Sequence, residues 1–125
     1  MKKGKFLLFI FVVFLTGCFG EIFSFTGEGE YWTAEVVINQ VSGKESESII
    51  LQYKGEDIES FEDFEFIIES SLWGLGVEGA KLNKEGMFVQ EDSSSNDKKT
   101  RKDSPMSITF KWDGKTESFQ LVTEK

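Results

Sequence analysis

Residues 107–122 read SITFKWDGKTESFQLV. Apolar side chains alternate on both sides of Asp113-Gly114: Ile108, Phe110 and Trp112 on the way in, Phe119 and Leu121 on the way back. Period two places alternate side chains on one face of a strand. Asp-Gly tolerates the positive φ angles that a type I′ turn requires, so the stretch is a β-hairpin with one apolar face. A face of that kind has to be covered by another layer.

The same period recurs upstream. YWTAEVVINQ (31–40) sets Trp32, Ala34, Val36 and Ile38 on one face, with Tyr31, Thr33, Glu35 and Asn39 on the other. After the turn-forming VSGKES, ESIILQYKG (47–55) sets Ile49, Leu51 and Tyr53 against Ile50 and Gln52. Between residues 55 and 71 the signal is mixed. Ile58, Phe61 and Phe64 recur at a helical three, but Phe64, Phe66 and Ile68 recur at two, and a strand from Asp63 to Ser70 is the reading adopted. LWGLGVEGAKLNKEG carries enough glycine to predict bends or a bulge rather than regular structure. MFVQ (87–90) is a short strand, and EDSSSNDKKTRKDSP (91–105) a polar loop without a large apolar residue. Six to seven short strands, frequent turns and no long helical pattern predict an all-β fold. An immunoglobulin-like β-sandwich is preferred to a small barrel; the cysteine pair of antibody domains is absent, so architecture alone is implied. Trp32 and Trp112 fall on inward registers and are expected in its core.

The N-terminus is of another kind. Lys2, Lys3 and Lys5 precede an unbroken apolar run over residues 6–15. As a helix that run would span roughly 15 Å, about half of the roughly 30 Å of a bilayer core. It is the length of a signal-peptide h-region rather than a permanent span. It ends in Leu15-Thr16-Gly17-Cys18, on the chain's sole cysteine. A bulky apolar residue at −3, small residues at −2 and −1 and a thiol at +1 resemble the lipobox of bacterial lipoproteins. That resemblance implies a diacylglyceryl group on the Cys18 sulfur and cleavage after Gly17, which leaves a new terminus open to an N-acyl chain. Two acyl chains anchor stably where one does not.

The expected organisation is therefore a cleaved signal peptide at 1–17, a lipidated cysteine and tether at 18–28, and a β-sandwich domain at 29–125. The tether carries Phe19, Ile22, Phe23 and Phe25. These either sit at the headgroup boundary or pair with the domain, and the first is expected for residues 19–23.

The 125 residues include 14 basic and 22 acidic side chains, a net charge of −8. Removing the leader takes away three lysines and no acid, so the mature body is more acidic still. An acidic surface excludes non-specific nucleic-acid binding, which needs cations. With Cys18 consumed no disulfide remains. There is no histidine, which excludes Ser-His-Asp and Cys-His catalysis and the usual zinc sites.

Gly74, Gly76 and Gly79 stand in G-x-G-x-x-G spacing, but no βαβ unit surrounds them, so nucleotide binding does not follow. Glu59, Glu62, Asp63 and Glu65 are dense enough to be a solvated face rather than a catalytic pair. Glu91, Asp92, Asn96 and Asp97 offer oxygen ligands to calcium, but not in EF-hand order, and a polar loop is the better reading. No metal site and no cofactor other than the lipid on Cys18 is expected. Lys98, Lys99, Arg101 and Lys102 form a basic run on an acidic protein, a candidate contact for an anionic surface. Trp73, among glycines, is a candidate partner contact or else a core plug.

Two further stretches carry a family likeness. In FTGEGEYWTAEVVI (25–38), Gly27, Glu28 and Trp32 match a GES-x-x-W opening strand, with Gly29 in place of its serine. In ITFKWDGKTESFQL (108–121), Trp112, Asp113, Gly114, Lys115 and Glu117 match a W-[ND]-G-K-x-E closing hairpin. LQYKGED (51–57) is similar to a further strand of the same family. Together they resemble small uncharacterised lipoproteins common in Firmicutes. The resemblance implies an extracytoplasmic β domain, lipid-anchored to the outer face of the cytoplasmic membrane, with no assigned catalytic residues. The expected function is a non-enzymatic binding module for an envelope protein or cell-wall polymer. The alternative is a small-ligand or cation carrier serving a membrane transporter.

Overall fold

A computed structural model describes residues 20–56, 58, 62–91 and 99–123. The alternation read from the sequence becomes two antiparallel sheets packed face to face, a β-sandwich. Among the described residues the strands are β1 (Gly20–Glu28), β2 (Trp32–Val41), β3 (Lys44–Tyr53), β4 (Phe64–Ser70), β5 (Gly74–Ala80), β6 (Met87–Gln90), β7 (Met106–Trp112), β8 (Lys115–Gln120) and β9 (Val122–Thr123). One sheet has the order β6-β3-β2-β1-β9, the other β5-β4-β7-β8. The first three strands run as a meander, so the strand order is the protein's own, and its likeness to immunoglobulin domains is one of architecture.

The 113–114 hairpin has the predicted turn chemistry, and the 42–43 turn shares it. Asp113 and Gly114 take φ of 50° and 73°, and Ser42 and Gly43 take 55° and 79°. Two successive positive φ angles give the twist that matches paired strands. The tips at 42–43 and 113–114 lie at opposite ends of the sandwich.

The core is the sum of the inward stripes. Trp32, Val36, Ile38, Ile49 and Leu51 from the first sheet meet Phe66, Ile68, Ile108 and Phe110 from the second, all fully buried. Trp32 is its centre toward the 113–114 end. It stacks on Phe110, with ring centroids 4.2 Å apart and planes 8° from parallel, and meets Trp112 edge-on at 5.6 Å. Both tryptophans are in the core, as their registers predicted.

Three expectations are corrected. Residues 20–28, assigned to a tether, form β1, which pairs with β2 along its whole length, from Gly20 opposite Val41 to Glu28 opposite Thr33. Phe25 is fully buried and Phe23 packs against the core, whereas Ile22 stays exposed and Phe19 lies outside the described residues. The glycine-rich stretch does contain a strand, β5, whose register shifts between Phe64 and Phe66 at the expected irregularity. The count rises to nine because β1, β5 and the two-residue β9 were not visible as alternating runs.

Candidate functional site

The end of the sandwich where β1 begins gathers four chain segments. Gly20 pairs with Val41, and Val41 with Lys44 across the 42–43 turn. The turn between β4 and β5 closes with the Ser70 amide donating to the Trp73 carbonyl at 2.9 Å. Residues 99–105 cross beside them before β7. A buried carboxylate ties these together. Glu45 is 1% exposed, and its oxygens accept from the Thr100 amide at 2.7 Å, the Thr100 hydroxyl at 2.6 Å and Gln40 Nε2 at 2.8 Å. Gln40 Nε2 also donates to the Thr100 carbonyl at 2.9 Å. Trp73 Nε1 donates to Thr100 Oγ1 at 3.0 Å. A carboxylate out of water is tolerated only when its oxygens are hydrogen-bonded. Here those bonds fasten residues 99–101 to β2, β3 and the β4–β5 turn. Thr100, drawn from a loop read as merely polar, is buried.

Of the two readings of Trp73, partner contact or core plug, the structure favours the core plug. The side chain is half-buried, packs against the core and spends its N–H on Thr100. Leu72 beside it is the exposed residue, at 47%.

Lys99, Arg101 and Lys102 are exposed and lie next to the first residues of β1. Lys102 Nζ reaches Glu21 at 2.6 Å and sits 5.7 Å from the centre of the Phe23 ring. Arg101 Nε is 3.1 Å from Asp103. That hydrogen bond and the paired charges hold Asp103 below its ordinary carboxyl value and raise Arg101 above its own. Lys44 is exposed on the neighbouring hairpin. Ile22 and Val41 are exposed at 65% and 45%. The fourth residue of the basic run, Lys98, lies outside the described residues, as do Leu15, Thr16, Gly17 and Cys18. Asp92, Asn96 and Asp97 lie outside them too, and among the described residues no group of three or more carboxylate, histidine or cysteine side chains is arranged to hold a metal ion.

The opposite end is held differently. The turn between β1 and β2 points three amides outward, and Glu117 of β8 accepts them: Glu30 N–H at 2.7 Å, Tyr31 N–H at 3.1 Å and Trp32 N–H at 3.1 Å. Gly29 makes this approach feasible. A Cβ there would stand 2.6 Å from the Glu117 carboxyl carbon and 2.7 Å from Phe119. Lys54 joins from β3's end, with Nζ 2.6 Å from Glu28 and 2.9 Å from the Gly29 carbonyl. Its hydrogen bond and charge lower the Glu28 carboxyl below its ordinary value. Lys115 lies 5.8 Å from the centre of the Tyr31 ring. The stretches GEGEYW, YKG and WDGKTE, separate in sequence, therefore meet at one corner. Acids dominate around it, with Glu30, Glu56, Glu62, Asp63 and Glu85 on the adjoining loops.

Sequence reasoning missed Glu45, and it singled out Glu117 only as a motif match, without its role. For Glu45 a signal existed, since Glu45 and Glu47 share the parity of Ile49, Leu51 and Tyr53 and therefore face inward. Glu117 had none beyond its place in the hairpin, because its partners are backbone amides more than eighty residues away.

No protein family, no curated protein and no solved structure matches the chain.

Proposed function

We propose that this protein is a bacterial lipoprotein, fixed through Cys18 to the outer face of the cytoplasmic membrane. Its β-sandwich acts as a non-catalytic binding module for an envelope protein or cell-wall polymer. The sequence at 1–18 carries the reading: cationic start, apolar run too short to span, small residues, then the chain's one cysteine. The observation that supports it from the folded domain is where β1 begins. Gly20 is already paired in the first sheet, which leaves one residue, Phe19, and roughly 7 Å of extended chain between Cys18 and the sandwich. The domain would ride directly on the headgroups with one end toward them. The other end, where Glu117 clasps the β1–β2 turn, would present an acidic rim to the envelope.

Fractionation of the native host tests this. The wild-type protein is expected in the membrane pellet and released by detergent but not by high salt. Cys18→Ser is expected to retain an uncut leader and to lose the acyl chains. Salt release of the wild-type protein would contradict the reading.

A further inference from the structure

The exposed apolar residues near β1's start do not scatter. Ile22 is on β1, Val41 at the adjoining hairpin and Leu72 on the turn from the other sheet, all at one end of the sandwich. Lys44, Lys99, Arg101 and Lys102 stand among them. These four bases match the exposed acids of the same region, Glu21, Glu69, Glu91 and Asp103, and Glu45 and Glu47 lie buried beneath them, so among the described residues this end is less acidic than the far one. Acids collect at the far end. A protein with this polarity, brought near an anionic surface, turns its more acidic pole away and its less acidic, apolar pole inward. Apolar tips flanked by cations are also what inserts at a headgroup boundary. The chain that precedes Gly20 leaves from this same end.

We infer that this end is a second membrane contact, a docking face for anionic phospholipid headgroups, in which Leu72 and Val41 enter the interface while Lys44 and Lys99 pair with lipid phosphates. The buried Glu45–Thr100–Trp73 chain of hydrogen bonds gives the face its rigidity, because it holds the Lys99 segment against the turn that carries Leu72. This inference rests on the proposed anchoring for its orientation, but the contact itself belongs to the domain surface.

The test uses the lipidated protein, its two acyl chains first verified by intact mass, with one new cysteine bearing an environment-sensitive nitrobenzoxadiazole probe. Leu72→Cys reports on the docking face and Glu85→Cys on the far end. Each is reconstituted into phosphatidylglycerol and into phosphatidylcholine vesicles. Blue-shifted emission and protection from iodide are expected at position 72 in phosphatidylglycerol alone, with position 85 aqueous in both. Adding Lys44→Gln and Lys99→Gln should lower the docked fraction about fivefold per lysine, whereas Lys84→Gln with Lys115→Gln should not. An aqueous probe at position 72 on a verified lipidated protein overturns the docking face and leaves the anchor standing. So does an equal shift at position 85, or protection by a soluble polyanion such as dextran sulfate without protection by vesicles. Should the mass show no lipid, the same probes on the unlipidated chain with added vesicles test the docking face by themselves, and an aqueous position 72 there overturns it.

Discussion

At one end of the sandwich a half-buried carboxylate, Glu117, reaches across from the second sheet and closes a turn of the first through three backbone amides. At the other end a fully buried carboxylate, Glu45, draws a polar loop down onto both sheets through Thr100, Gln40 and Trp73. Both devices solve one problem: sheets packed through apolar faces are fixed weakly at their ends, where loops leave the core. The difference lies in what each leaves outside. Around Glu117 the surface is acidic. Around Glu45 the polar work is hidden, and the surface left over is apolar, with its exposed bases balanced by exposed acids. Similar means of fastening loops thus produce one end suited to water and one suited to an interface.

That contrast can be broken at its strongest point first. Trp32→Ala empties the stack between Trp112, Phe64 and Phe110, and urea denaturation should show a loss of about 3–5 kcal/mol. Glu45→Ala leaves the Thr100 amide and the Gln40 side chain without their buried acceptor. A loss of about 2–3 kcal/mol is expected, with faster amide exchange confined to residues 99–103. Glu117→Gln keeps the shape but not the charge of the acceptor, and at this partly exposed site about 1 kcal/mol is expected by the same denaturation. Gly29→Ala pushes the Glu117 carboxylate off its amides, so combining it with Glu117→Gln should cost less than the sum of the two separately, a coupling that a double-mutant cycle reads.

The smallest effect is electrostatic. Lys54 lowers the Glu28 carboxyl below its ordinary value of 4.5. A lowered folded-state value means that the contribution is complete above that ordinary value and is lost as the pH falls below it. The stability difference between wild type and Lys54→Ala should therefore be constant near neutrality and shrink in acid. Both side chains lie at the surface, so it should also shrink in salt.

How much of this was legible follows from the physics of each element. β2, β3, β7 and β8 alternate cleanly because one face of each meets the core and the other meets water, and their stripes could be read directly. β1 did not read as a strand because its apolar residues follow a greasy leader and match a lipid boundary equally well; only pairing with β2 distinguishes the two. β5 carries glycine at three of seven positions, so its partners rather than its side chains make it a strand. The basic run was visible, but its closeness to β1's start was not, since it depends on Glu45 holding Thr100 from 55 residues away. Trp73 was read as a partner contact or a core plug, and the structure packs it against the core; its hydrogen bond to Thr100 could not be foreseen.

The proposed orientation of both ends rests on a lipid at the sulfur of Cys18. Intact-mass spectrometry of the protein extracted from its native membrane measures that directly. The expected species is a chain beginning at Cys18 and heavier by a diacylglyceryl group. A species that retains residues 1–17 and an unmodified thiol would contradict the proposed anchoring.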